Sequence, residues 1–326
     1  MTKLKIVLTS VTLLLCIKTT QAQWETSFSQ FWTAKSYYNP SFAGEIDKIQ
    51  VAGIYKYQWT GIENSPKHIF LSTDMPIELL GMRHGVGILT YNNSIGNERN
   101  NILAIQYTFK QKIGKGMLNI GLQAGRFELN FDAASAHLTA DSTKNNHKTI
   151  KANPTDKKGI ALNAGVSWTT KNYYIGAAVM HINQPKFYSM NNPTSSGSTT
   201  NDSTLSKIPI SYNFIGGCNI HAFHPLFEIQ PMVLVLTDLT DTRLQTALRM
   251  VYNKKYSAGA SWNGKRGYSF FAGAVIQEIE FGYAYDLHTS GIGKESKGSH
   301  EISIKYRFPI DLFRKKPMPH KSIRLL

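Results

Sequence analysis

The stretch His300-Glu301-Ile302-Ser303-Ile304-Lys305-Tyr306-Arg307-Phe308 decides the fold. Side chains alternate sides along a strand. Ile302, Ile304, Tyr306 and Phe308 therefore share one face, and Glu301, Ser303, Lys305 and Arg307 share the other. The run ends in an aromatic, and Pro309 follows, which reads as the end of the ladder. A closing strand that is apolar outside, polar inside and aromatic at its end suits an outer-membrane barrel. A strand of a soluble sandwich can carry the same alternation, so the remaining sequence has to discriminate.

Working back from this strand, the same period recurs. Ile49, Val51, Gly53, Tyr55, Tyr57 and Trp59 form one face of a first strand. Its aromatics gather at one end, as a membrane-interface girdle requires. A second strand runs through Ile69, Leu71 and Thr73, with Pro76 expected to stop it. Further strands follow at Val86–Thr90, Leu103–Phe109, Leu118–Ala124, Ile160–Trp168, Tyr173–Val179, Ile208–Ile220, Leu226–Leu236, Leu244–Tyr252, Tyr256–Trp262, Tyr268–Ile276 and Ile279–Tyr285. The Leu226–Leu236 run departs from the pattern, being apolar on both faces with Pro231 inside it.

With the last strand the total is about fourteen, an even number, as in single-chain bacterial barrels. Counting gaps from the first strand, even gaps are short, as at Gln111–Gly116, Thr170–Asn172, Asn253–Lys255 and near Gln277. Several odd gaps are long: Glu128–Lys158, Asn183–Lys207 and Leu287–Gly298. Barrels sort their connections this way, with short periplasmic turns and long outer loops; a sandwich has no reason to. The reading is an all-β fold, a transmembrane antiparallel outer-membrane β-barrel spanning 49–308.

The flanks and the composition agree. Lys3 and Lys5 precede the apolar run Ile6–Ile17, and Thr20-Gln21-Ala22 offers small residues before Gln23. Residues 1–22 read as a secretory signal peptide. Residues 23–48 show no clean period and read as a periplasmic or lumenal segment that plugs or braces the barrel. Residues 309–326 form a basic tail expected in the periplasm, with Arg314, Lys315 and Lys316 as a candidate docking site for a periplasmic partner. Charged residues are only 17% of the 326, while Tyr and Phe number 16 each, a balance that fits strands. The net charge of +15 in an exported chain points to lipid head groups or acidic proteins as partners and away from nucleic acid. After removal of Cys16 with the leader, Cys218 stands alone and no internal disulfide can form. The Ser/Thr-rich run Thr194–Thr200 reads as a mobile outer loop tip.

Chemistry-bearing clusters are sparse. His221 and His224 share a turn but lack a third ligand for a metal. Asp286, His288, His300 and Glu301 lie together at one end of the last hairpin, where a carboxylate beside a histidine can assist hydrolysis. No nucleophile elbow, phosphate loop or zinc-protease motif accompanies them. The sequence therefore predicts no enzyme, no cofactor and no metal site.

Several fragments together resemble the PorP/SprF family of type IX secretion outer-membrane proteins. Near the start stand Gln30-Phe31 and Tyr38-Asn39-Pro40-Ser41-Phe42-Ala43-Gly44, similar to the family's Tyr-Asn-Pro-Ala with a following Ala-Gly. Tyr55-Lys56-Tyr57-Gln58-Trp59-Thr60-Gly61 resembles its Tyr-Arg-x-Gln-Trp-x-Gly, followed by Pro66. Gly85-Val86-Gly87 and Ser299-His300-Glu301-Ile302 complete the set. Ser41 stands for the usual Ala and Lys56 for the usual Arg. The resemblance implies a non-enzymatic role in exporting secreted proteins or gliding adhesins and attaching them at the surface. Implied partners are other secretion components, including periplasmic subunits, and the secreted cargo. The motif positions Tyr38, Asn39, Pro40, Gly44, Gln58, Trp59, Gly61, His300 and Glu301 become candidate binding residues. The competing reading is an outer-membrane diffusion channel or small-solute transporter, since about fourteen strands can enclose water or a plug.

Overall fold

A computed structural model describes residues 26–131, 157–189, 204–221, 225–264 and 266–309. The signal peptide 1–22, the run Thr194–Thr200, His224 and the tail residues Arg314, Lys315 and Lys316 lie outside the described residues.

Three short helical turns, Phe31–Ala34, Lys35–Tyr38 and Pro40–Phe42, precede the strands β1 (Lys48–Tyr57), β2 (Lys67–Leu79), β3 (Met82–Ile95), β4 (Glu98–Ile113), β5 (Gly116–Phe131), β6 (Lys157–Thr169) and β7 (Tyr173–Met180). A small hairpin, β8 (Lys186–Ser189) with β9 (Thr204–Lys207), stands apart from the main sheet. Then come β10 (Ser211–Cys218), the two-residue β11 (Ile220–His221), β12 (Phe227–Thr237), β13 (Thr242–Tyr252), β14 (Tyr256–Asn263), β15 (Gly267–Ile276), β16 (Ile279–His288) and β17 (Ser299–Pro309).

Every neighbouring pair is antiparallel, and β1 pairs with β17, Lys48 opposite Pro309 and Tyr57 opposite His300. β10 pairs with both β7 and β12, which closes a barrel of fourteen strands. Closure gives every strand of the ring a neighbour on both sides, the condition for crossing lipid with strands.

The outward positions form the lipid belt. Ile69, Leu71, Ile105, Leu122, Ile175 and Ile304 are all exposed on the outer wall. Tyr173, Tyr252 and Tyr256 lie exposed toward the end that carries the short turns, and Trp262 and Tyr268 toward the other end. These are the interface positions where amphipathic rings are stable.

Three expectations need correction. Pro76 does not end the second strand: β2 continues to Leu79, with Pro76 opposite Gly85. β1 pairs only as far as Asp74, so Pro76 stands where β2 has a free edge, the position where a sheet tolerates proline. Pro309 likewise remains in β17 opposite Lys48, at the terminal position where a missing N–H costs least. Trp59 does not extend the first strand: β1 stops at Tyr57, and Trp59 turns away with φ of 57°.

The two-faced apolar run at β12 finds its reason in the lumen. Met232, Leu234 and Leu236 point inward and are buried against the N-terminal segment, while Val233 is exposed on the outer wall. Pro231 sits where β12 changes partner, from Met232 onward with β10 and from Ile229 back with β11.

Candidate functional site

The lumen is occupied. Phe28, Phe31, Trp32, Tyr37, Tyr38 and Phe42 of the N-terminal segment form one apolar cluster with Ile54, Phe70, Leu89, Tyr91, Ile215 and Phe271 of the inner wall. Ring pairs bind the two parts, with Phe28 5.8 Å from Phe70 and Trp32 4.7 Å from Phe271 between centroids. Each fully buried large apolar side chain contributes roughly 1.5–3 kcal/mol. A typical net hydrogen bond contributes about 1 kcal/mol. The rings therefore supply most of the holding energy, and the polar contacts set position.

Those polar contacts are concentrated at two places. At the first, β1, β16 and β17 present Lys56, Asp286 and Glu301 to the lumen. Lys56 Nζ lies 2.8 Å from Asp286 and 3.4 Å from Glu301. Glu301 accepts the backbone N–H groups of Ser29 and Gln30, each at 2.7 Å, just before the first helical turn. The Ser29 hydroxyl donates to Asp286 at 2.6 Å, and Lys56 donates to Ser29 Oγ at 2.8 Å. Gln245 of β13 accepts from the Ser27 hydroxyl at 2.6 Å and donates to the Phe28 carbonyl at 3.0 Å. All three charged groups are buried. A buried charge without a partner is strongly unfavourable, so both carboxylates depend on Lys56.

At the second place, Asn39 organises the turn Asn39–Ala43. Its Oδ1 accepts the Ser41 N–H at 2.9 Å and the Ser41 hydroxyl at 2.7 Å, capping the helical turn that begins with Pro40. Its Nδ2 donates to the carbonyls of Val166 on β6 and Ala177 on β7. Thr108 donates to the Pro40 carbonyl, Gln106 to the Ser36 carbonyl and Asn213 to the Tyr38 carbonyl. The wall is cut to fit: a Cβ at Gly121 would lie 2.2 Å from the Ser41 nitrogen, and one at Gly165 2.1 Å from Asn39 Oδ1. Gly44 has φ of +62° and donates its N–H to Asp74 as the chain leaves the lumen for β1. Glycine takes that conformation without the Cβ penalty.

The motif residues thus divide. Tyr38, Asn39, Pro40 and Gly44 belong to the plug, and Glu301 to the wall that holds it. Tyr38 accepts the Phe28 N–H at 2.9 Å and donates to the Thr26 carbonyl. Gln58 bonds His68 at 3.0 Å on the inner wall. Trp59 and Gly61 shape the first loop: the Trp59 N–H donates to Ser299 Oγ at 3.0 Å, and Gly61 has φ of 89°.

His300 does not join them. It points outward, opposite to Glu301, and bonds the Tyr283 hydroxyl at 2.7 Å. The carboxylate–histidine set read from Asp286, His288, His300 and Glu301 is therefore split across the wall. His288 does bond Ser299 Oγ at 2.6 Å, but Ser299 is fully buried and also accepts from Trp59, so the pair staples the loop to the rim. Elsewhere His221 lies 3.5 Å from Glu228. Among the described residues no three His, Cys, Asp or Glu side chains are grouped to hold a metal.

Sequence reasoning missed Lys56 with Asp286 as an ion pair, as well as Gln245, Asp74 and the lumen glycines. Inward polar residues on β1, β13 and β16 were visible as a face, but nothing local says which of them meet.

No curated protein matches the sequence. Among solved structures the chain is similar to the outer membrane protein Omp33 of Acinetobacter baumannii, at 10% identity and a TM-score of 0.46, covering 81% of this chain and 100% of that one. It is also similar to the CymD monoaromatic hydrocarbon channel, at 14% identity and a TM-score of 0.49, covering 87% and 94%. A Pseudomonas aeruginosa FadL homologue gives 11% identity and a TM-score of 0.44, covering 85% and 94%. The family described as "Type IX secretion system membrane protein PorP/SprF" matches residues 20–306. With that match running from before the plug to the closing strand, the chain belongs to the PorP/SprF family of type IX secretion system membrane proteins and resides in the outer membrane.

Proposed function

We propose that the protein is a plugged, non-enzymatic platform of type IX secretion, taking part in export and surface attachment of secreted proteins or gliding adhesins. The observation that carries this reading is the burial of the whole run from Ser27 to Ala34 and from Ser36 to Ala43 inside the lumen. A lumen filled by rings and buried ions conducts solutes poorly, whereas a rigid barrel presents its rims well to protein partners. In this reading the short turns face the periplasm and the long loops face outward. Tyr38, Asn39, Pro40, Gly44, Gln58, Trp59, Gly61 and Glu301 act by fixing the plug and the first loop, and His300 sits on the outer wall. The tail residues Arg314, Lys315 and Lys316 dock a periplasmic subunit.

Two measurements together test this. A gene deletion should abolish surface display of secreted cargo, while the purified protein in planar bilayers should give only small, infrequent conductance steps. Normal cargo display with a steady open pore would assign the protein to solute diffusion instead. Removal of residues 310–326 should leave the barrel assembled and reduce co-purification of periplasmic subunits; undiminished recovery would remove the tail from the account.

A further inference from the structure

At the short-turn end a second feature stands beside the plug. A cavity of about 550 Å³ opens between the rims of β3 to β7. Arg83, Lys110, Lys112, Lys115 and Lys171 line it, and no carboxylate does. Arg83 and Lys110 are cross-strand neighbours in register, and Lys112 lies two positions beyond Lys110 on the same inward face. Lys115 and Lys171 occupy the turns that follow β4 and β6. Like charges gathered on one rim raise the local positive potential, which attracts anions.

Lys110 is the informative member. It is only 7% exposed, yet it makes no hydrogen bond or ion pair among the described residues. The carboxylates around it are engaged elsewhere: Asp74 by the Gly44 N–H, Glu45 by Lys35 and Asp47 by Arg83 at 3.3 Å. Glu45 and Asp47 sit on the connection between plug and β1, two residues apart; Glu45 meets Lys35 of the plug and Asp47 meets Arg83 of the rim. One carboxylate, Asp47, thus already meets a cation of the rim, and Lys110, Lys112, Lys115 and Lys171 form no ion pair among the described residues.

We propose that this cavity is a docking site for an acidic peptide segment of a partner protein, with Asp or Glu side chains meeting Lys110, Lys112, Lys115 and Lys171. The site stands on charge and shape alone and does not depend on the secretion reading. Arg83, Lys110 and Lys112 lie on the inward face of their strands, turned away from the outer wall that a bilayer phosphate approaches. A single inorganic phosphate fills too little of the cavity to meet cations spread over three strand ends.

The experiment uses the full mature chain in detergent micelles and a fluorescent ten-residue glutamate peptide, read by anisotropy. Binding is expected at low salt, weakening steeply as ionic strength rises. K115E with K171E, both in turns, should weaken it at least tenfold while the barrel keeps its heat-dependent gel mobility. K110M should weaken it further; if that variant does not fold, the turn variant alone decides. A chain ending at Pro309 should bind as the full chain does. The proposal is overturned if the peptide does not bind, if K115E/K171E binds equally well, if the shortened chain loses binding, or if inorganic phosphate displaces the peptide at equal charge concentration.

Discussion

Lys56 and Glu301 face each other across the seam where the first and last strands meet, in register and 3.4 Å apart. The same carboxylate holds the backbone of Ser29 and Gln30, so barrel closure and plug seating share one side chain. Removing Glu301 leaves Lys56 paired with Asp286 but deprives the buried Ser29 and Gln30 N–H groups of their acceptor, at a cost of about 1–3 kcal/mol each. Glu301→Ala is therefore expected to lower the unfolding midpoint in urea, followed by tryptophan fluorescence in micelles. Lys56→Met combined with Asp286→Leu and Glu301→Leu, which leaves no unpaired charge, should recover part of the loss without reseating the plug. A single Glu301→Ala variant as stable as the native chain would show that the seam does not rely on this pair.

The glycine windows make a steric prediction. A side chain at Gly121 enters the space of Ser41, and one at Gly165 that of Asn39. Gly121→Val is expected to expel the turn Asn39–Ala43 while the strands still pair, because the outer wall is untouched. Lys35, within the plug, should then become a trypsin site in the folded barrel. Protection equal to that of the native chain would mean the wall yields instead.

Asn39 tests position rather than volume. Asn39→Asp keeps the cap on Ser41 but loses the donors to Val166 and Ala177 and buries a negative charge. Asn39→Ala loses the cap as well, which costs about 0.5–2 kcal/mol. Both should destabilise, and Asp the more, since an unpaired buried charge is worse than a missing bond. Equal midpoints for the two variants in the same urea titration would contradict this order.

Deleting residues 26–44 should open the lumen. Single-channel recording is the check: conductance should rise severalfold over the native chain, with dependence on the inward charges Lys56, Asp286 and Glu301. An unchanged current would place the barrier in the loops.

The hairpin loop between β12 and β13 gives a pH prediction. Burial disfavours the charge of Asp238, but the N–H groups of Asp241 and Thr240 and the Thr240 hydroxyl outweigh it and hold the carboxyl below its usual range. A depressed carboxyl stabilises the fold above its unfolded value, near 3.9, and ceases to do so as pH falls through the folded value. Asp238→Ala should therefore melt below the native chain at pH 7, and the two should converge in strong acid. A gap that persists unchanged at pH 2 would exclude the charge as its cause.

The sequence by itself determined the strands, their faces and the sorting of connections. Those properties are local: the pleat alternates every residue, and turn chemistry sits where the strands end. The same alternation already separated His300 from Glu301, although proximity in sequence invited grouping them. Only the tertiary structure decided that Phe28–Ala43 fills the lumen, that Lys56 of β1 meets Asp286 of β16, and why β12 is apolar on both faces. Each depends on closing the wall into a ring, which brings residues more than two hundred positions apart within hydrogen-bond reach. No local period encodes that closure.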